Sequence, residues 1–288
     1  MDGLPQVLEL NRDMKKFIIT SLAIAATVYL LALTALYIFQ RSVLYIPPQV
    51  YLTPTAVELS GVIEVPDPTN QSDIMGWWLP PKEAGAPMVM YFHGNGSAVY
   101  SASDVYRTLQ DQGYGVFALA YPGYPGRVGQ ITQQSLTEAA IEGYDFVLSQ
   151  GAQADKIIYY GTSLGAGVAA QLAAVRQPTL IIMEAPFTSA ADMAQRTFPI
   201  FPASLLTKDK FRSDRALSGS QIPMIWLHGT HDTVIPFEVG QALFDGYDGP
   251  KTGYVVQSGE HTNLWFLKTA DVLLDALAEI TRAPSPVK

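Results

Sequence analysis

Ile157-Ile158-Tyr159-Tyr160-Gly161-Thr162-Ser163-Leu164-Gly165 passes from an apolar run into an Ala-rich stretch that continues to Arg176. The pattern reads as a strand, a sharp turn and a helix. A serine at the apex of such a turn adopts a strained backbone that lifts its hydroxyl above the sheet, so its neighbours must be small. Gly161 and Gly165 meet that need. The first N–H groups of the helix, Leu164's among them, have no carbonyl partner within it and face any negative charge that develops beside the serine. The pentapeptide alone is weak evidence, because Gly and Ser are common. The strand before it and the helix after it give it weight.

Outward from this turn, apolar runs of the kind that bury both faces in a parallel sheet lie at Met88–Phe92, 116–120, 180–183 and 224–227. Helical patterns separate them near 98–112, 135–148 and 164–176. Shorter β candidates precede them around 57–65 and at Ile74–Leu79. Tyr254-Val255-Val256 reads as the last strand and 263–281 as the final helix. This alternation predicts an α/β fold with a doubly wound, mostly parallel sheet. Between Pro186 and Pro223 the alternation breaks, which predicts a small cap (186–223) over the C-terminal edge of the sheet. The apolar cap residues Phe198, Ile200, Phe201, Leu205 and Leu206 fit either the packing of a cap helix or an acyl-binding wall.

The chain has 288 residues, 48% of them hydrophobic, enough for one sizeable core. Its net charge of −8 and the lack of a basic stripe argue against a nucleic-acid partner. With no cysteine, thiol catalysis, disulfides and Cys-ligated metals are excluded. From Phe17 to Gln40 no residue is charged, and about 24 residues at roughly 1.5 Å each span a hydrocarbon layer of roughly 30 Å. A cleaved signal peptide has a shorter apolar region and a small-x-small site, whereas this run ends in Tyr37-Ile38-Phe39-Gln40. Residues 17–40 are therefore expected to form an uncleaved transmembrane anchor. Arg12, Lys15 and Lys16 precede it and only Arg41 follows before Lys82, so positive-inside counting puts segment 1–16 in the cytoplasm and the domain outside it, in the periplasm if the cell is bacterial. A connector (41–55), a domain (56–282) and a tail (283–288) complete the expected organisation. Val43-Leu44-Tyr45-Ile46-Pro47-Pro48 reads as stiff and extended. Tyr45 and Tyr51 fit either a membrane-interface belt or packing on the domain.

A serine hydroxyl needs a base to take its proton and a carboxylate to orient that base. Of four histidines, His93 and His228 each end an apolar run before a glycine, where a ring braces a loop; His231 sits beside Asp232. His261 lies in Ser258-Gly259-Glu260-His261-Thr262-Asn263, a polar loop between the last strand and the last helix. The chain order Ser, acid, His assigns the base to His261. For the acid, Asp232 and Glu184 both follow strands, at the edge where open α/β sheets gather their sites.

Four motifs in order, His93-Gly94-Asn95-Gly96, Gly161-Thr162-Ser163-Leu164-Gly165, His228-Gly229-Thr230-His231-Asp232 and Gly259-Glu260-His261, make the chain resemble the α/β-hydrolase superfamily. Within it, the chain is similar to the membrane-anchored branch of serine aminopeptidase-like, lysophospholipase and protein depalmitoylase enzymes. The resemblance runs from about Gln40-Arg41-Ser42 to the final helix. It implies an α/β-hydrolase fold, Asp232 as the acid, and an oxyanion hole of the Asn95 and Leu164 N–H groups. One loop departs from the family: Tyr121-Pro122-Gly123-Tyr124-Pro125-Gly126-Arg127 stands where related hydrolases often carry an Arg-Gly-Tyr-Gly-x-Ser-like sequence. The expected activity is hydrolysis of an ester or thioester of a small-molecule or lipid-like acyl substrate, with Phe198, Phe201 and Leu205 as candidate substrate-binding residues and no metal or cofactor. A peptidase of the same fold and a catalytically idle tethered interaction protein are the alternatives.

Overall fold

The computed structural model describes residues 11–267 and 269–282. Most of the expected segment 1–16 and the whole expected tail 283–288 lie outside the described residues. The described chain divides between Val43 and Leu44 into two compact units. The first is carried by helix α1 (Arg12–Leu44), whose N-terminus is capped by Asn11: its Oδ1 accepts from the N–H groups of Asp13 and Met14 at 2.9 Å each. Its 33 residues have no buried member and a mean hydropathy that reaches 2.2, and among the described helices it alone is long and apolar enough to cross a membrane. Thr27 and Thr34 donate their hydroxyls to the carbonyls of Ala23 and Leu30, both at 2.8 Å, so neither side chain depends on water. The helix continues past Gln40 to Leu44, and the extended connector begins at Tyr45 rather than at residue 41. Nothing in Arg41-Ser42-Val43-Leu44 breaks a helix; the first proline is Pro47, which disfavours helical backbone at the residue before it.

The second unit holds an eight-stranded sheet, in the order β1 (Ile63–Pro66), β2 (Ile74–Leu79), β4 (Gly115–Leu119), β3 (Met88–Phe92), β5 (Ile157–Thr162), β6 (Leu180–Glu184), β7 (Met224–Gly229), β8 (Lys251–Val256). The pairs β1–β2 and β2–β4 are antiparallel and all others parallel. The chain leaves β3 for β4 on one side and crosses back to β5 on the other. The carboxyl ends of β3 and β5 therefore flank the point where the winding reverses, the usual place for a ligand crevice. Helices α2 (Ser103–Asp111) and α9 (Thr269–Arg282) cover one face, where Tyr106, Leu109, Leu273 and Leu277 pack on Val89, Val116 and Ile158. Helices α3 (Gln133–Ser149), α4 (Leu164–Ala173) and α8 (Phe237–Asp245) cover the other, with Leu136, Val168, Leu172 and Val239 packed among Met90, Phe92 and Tyr159.

Three details differ from the sequence expectations. The β candidate at 57–65 is mostly not a strand. Pro54 starts a 3₁₀ turn at Thr55–Val57, Glu58 turns left-handed at φ 54°, Gly61 has φ 76°, and only Ile63–Pro66 pairs. The final helix is divided into a 3₁₀ turn at Leu264–Phe266 and α9. Helix α8 was not foreseen; it has only nine residues, with Gly240 in its middle. The cap consists of the short helices α5 (Ala190–Thr197), α6 (Ala203–Leu206) and α7 (Ser213–Ala216).

Candidate active site

Ser163 stands between β5 and α4 with φ 55° and ψ −116°, a strained conformation for a residue with a side chain. Its N–H donates to the Glu184 carbonyl at 2.9 Å, and its own carbonyl accepts from Ala166 at 3.0 Å, which holds the turn from both sides. Glycine at 165 is required by the packing: a Cβ there would lie 1.9 Å from the Phe92 carbonyl oxygen. Its absence lets the head of α4 sit directly against the end of β3.

The loops after β7 and β8 supply the next two groups. They are laced together by His231 N–H to the Gly259 carbonyl at 2.9 Å and Ser258 N–H to Thr230 Oγ1 at 2.9 Å. Asp232 Oδ1 accepts the N–H groups of Val234 and Ile235 at 2.9 and 2.8 Å, leaving Oδ2 for His261 Nδ1 at 2.7 Å. With Nδ1 donating, His261 Nε2 is the acceptor that lies 3.0 Å from Ser163 Oγ. Burial alone would raise the Asp232 carboxyl, but hydrogen bonds from His228, His261 and the Ile235 N–H outweigh it and hold the group well below the usual carboxylate range. Asp232 therefore stays ionised, and a carboxylate in this position can orient the ring and stabilise it when it takes a proton.

The loop after β3 completes the cluster. A Cβ on Gly94 would lie 3.6 Å from Ser163 Cβ, so this loop runs against the serine. His93 is buried, stacks on Tyr121 with ring centroids 3.9 Å apart, and its Nδ1 lies 2.9 Å from the Gly94 carbonyl. Burial pushes its pKa down to about 4, so the ring is neutral and braces the loop. Tyr121 donates its hydroxyl to the His93 carbonyl at 3.1 Å, and Tyr124 donates to Asn95 Oδ1 at 2.8 Å. Leu164, the first residue of α4, offers an N–H with no carbonyl partner inside the helix.

No family model matches the chain. It is 28% identical over 258 residues to an uncharacterized protein of Mycobacterium tuberculosis, covering 88% of this chain and 92% of that one. To the lysophosphatidylserine lipase ABHD12 of Danio rerio it is 27% identical over 239 residues, 73% of this chain and 62% of the relative. The esterase PF2001 of Pyrococcus furiosus superposes with a TM-score of 0.62 at 17% identity, over 83% of this chain and 97% of that one. The chain has the α/β-hydrolase fold. The monoacylglycerol lipase of Paleococcus ferrophilus shares this α/β-hydrolase fold at a TM-score of 0.53 and 19% identity, over 68% of this chain and 96% of that one.

Within this hydrolase fold the remaining candidates fall as follows. Glu184, the rival acid, is buried and accepts the Tyr160 hydroxyl at 2.5 Å; burial raises its pKa, and the carboxylate that bonds His261 is Asp232. His228 is buried with Nε2 2.9 Å from the Ile235 carbonyl and 3.4 Å from Asp232 Oδ2, so it supports the acid loop. His231 is exposed. Of the cap residues, Phe198 and Phe201 are half-buried and Leu205 is 72% exposed, so Leu205 is not part of a packed cap interior. Tyr45 is buried in the domain core and Tyr51 bonds Glu64 and the Trp77 indole, which answers the question left open for both. The sequence reading missed the supporting roles of Tyr121, Tyr124 and Arg127, although it marked their loop as unusual. Arg127 is buried there, with Nε on Asp67 Oδ2 at 2.6 Å and an NH2 group on Glu142 at 2.8 Å.

Proposed function

We propose that the chain is a membrane-anchored serine hydrolase that cleaves a carboxylic ester or thioester of a lipid-like acyl substrate. The observation that carries this reading is the relay from Asp232 Oδ2 through His261 to Ser163 Oγ, at 2.7 and 3.0 Å, at the head of a helix. Ser163 Oγ bonds to the substrate carbonyl carbon as its proton passes to His261 Nε2, and the carbonyl electron pair becomes an oxyanion facing the Leu164 and Asn95 N–H groups. Collapse breaks the bond to the leaving oxygen or sulfur, which takes the proton from His261. Water then gives its proton to the same nitrogen, adds to the acyl carbon and releases the acid, while Ser163 regains its hydrogen. One oxyanion donor contributes about 3 to 4 kcal/mol to such a transition state, so two are a substantial share of the catalysis.

The lipid-like substrate is supported by the similarity to a lysophosphatidylserine lipase, by the apolar helix α1 and by the exposed apolar side chains of the cap. Phe198, Phe201 and Leu205 are its proposed contacts. Residues 17–40 would anchor the protein with its N-terminus cytoplasmic and the hydrolase unit outside, by the positive-inside bias.

A fluorophosphonate probe should label Ser163 of the full chain, and p-nitrophenyl esters of graded chain length should be turned over. Ser163→Ala should abolish labelling and reduce turnover by on the order of 10⁴ to 10⁶. Turnover of aminoacyl anilides without esters would make the chain a peptidase instead. Labelling that survives Ser163→Ala would remove Ser163 as the nucleophile.

A further inference from the structure

We infer that the Asn95 side chain is a positioning residue: it fastens the oxyanion loop to the first residues of the hydrolase unit, so that residues 44–46 help to set the hole. This rests on the proposed acyl-transfer reading, because it assigns a purpose to where the Asn95 N–H points.

The loop His93-Gly94-Asn95-Gly96 belongs to no helix or strand. Two glycines in four residues give it little stiffness of its own. On its inner side it is held by the Tyr121 hydroxyl on the His93 carbonyl and by Ser97 N–H on the Gly94 carbonyl at 3.2 Å. On its outer side the hold comes from the Asn95 carboxamide. Nδ2 donates to the Leu44 carbonyl at 2.6 Å, and Oδ1 accepts Ile46 N–H at 3.1 Å and the Tyr124 hydroxyl at 2.8 Å. Bonding a carbonyl and an N–H two residues apart, the amide grips that stretch of backbone as a neighbouring strand would. Tyr45, between the two bonded residues, is buried in the core, so this stretch cannot swing away without exposing a large ring. Further along, Tyr100 donates to the Val50 carbonyl at 2.9 Å and the Trp77 indole to the Tyr51 hydroxyl at 2.8 Å.

The bonds of Asn95 to residues 44 and 46 span 51 and 49 positions of sequence. Nothing local replaces them. An oxyanion donor acts only within about 2.7 to 3.1 Å of the developing charge, and a misplacement of about 1 Å costs on the order of 10² in rate. Holding the loop from outside is therefore a catalytic requirement, although the carboxamide itself touches no reacting atom.

The test uses the full chain in detergent micelles. Asn95→Ser keeps the backbone N–H, introduces no charge and is too short to reach Leu44 or Ile46. Two quantities are read: kcat and KM on a short water-soluble p-nitrophenyl ester, and hydrogen exchange at the Ile46 amide. Exchange at Ile46 should accelerate while kcat falls on the order of 10-fold to 10²-fold at unchanged KM. Faster exchange with kcat unchanged would disconnect residues 44–46 from the hole and overturn the proposal. A fall in kcat with Ile46 exchange unchanged would overturn it as well, since Asn95 would then act without them. If Asn95→Ser fails to fold, Tyr124→Phe removes one bond to the same Oδ1 and is judged by the same pair of readouts with a smaller fall expected. A wild-type chain inert toward esters and fluorophosphonate would instead defeat the acyl-transfer reading, while the exchange measurement would still report whether the clamp exists.

Discussion

Asp232, in the loop after β7, and Glu184, the last residue of β6, are both acidic and largely buried, yet only Asp232 is bonded to His261. Asp232→Asn should therefore lower turnover by about 10⁴, because it inverts the donor pattern that fixes the imidazole tautomer. Glu184→Gln should leave turnover within about tenfold. The reverse ranking in steady-state kinetics would move the acid to Glu184. His93 makes a second prediction, in stability. Its folded pKa, about 4 because of burial, lies below the unfolded value near 6.5. Between those pH values the unfolded chain binds a proton that the native one excludes, so stability is lost as pH falls from 6.5 to 4, by about 3 kcal/mol. His93→Gln should flatten that part of the pH dependence of the unfolding midpoint; an unchanged slope would mean that the ring is not held neutral. The approach of Ser163, Asp232 and His261 to one another was partly legible beforehand. Ser163, Asp232 and His261 carry local signatures, strand ends and glycines that a linear sequence displays. The Asn95 carboxamide and Tyr124 carry none, since their partners lie tens of residues away and are chosen by packing.

The loop from Tyr121 to Arg127 shows the same limit one level up. Its two prolines restrict the backbone, and Gly123 and Gly126 take φ of 80° and 94°. What holds it is the buried pair of Arg127 with Asp67, which ties the loop to the segment between β1 and β2, while Glu142 ties it to α3. Arg127→Ala leaves the Asp67 carboxylate buried without its counter-charge. Asp67 keeps the Thr69 and Asn70 donors on its other oxygen, which limits the damage. We expect a loss of about 3 kcal/mol, the lower end for a broken buried pair, in denaturant or thermal unfolding. A loss below 1 kcal/mol would place the loop's rigidity in its prolines instead. The strands were readable because parallel strands buried on both faces are continuous apolar runs, as at Met88–Phe92. The 57–65 segment was misread because its composition allows a strand and only Pro54 and Gly61 argue against one.

For the whole molecule, the division between Val43 and Leu44 separates an apolar helix from the unit that carries the α/β-hydrolase fold. The full chain should sediment with membranes and resist alkaline carbonate, and release by carbonate would refute the anchor. The unit's site is gathered from distant parts of the chain: Ser163 and His261 stand 98 residues apart, with Asp232 between them, 29 residues before His261. This spacing gives the reaction a birth order. At about 5 to 20 residues per second, synthesis takes roughly 5 to 20 s to travel from Ser163 to His261. Throughout that interval the growing chain carries its apolar helix and Ser163 but not His261. A polypeptide cut short between that helix and His261 should keep the anchor and hydrolyse no ester, so on the proposed mechanism activity waits for residue 261.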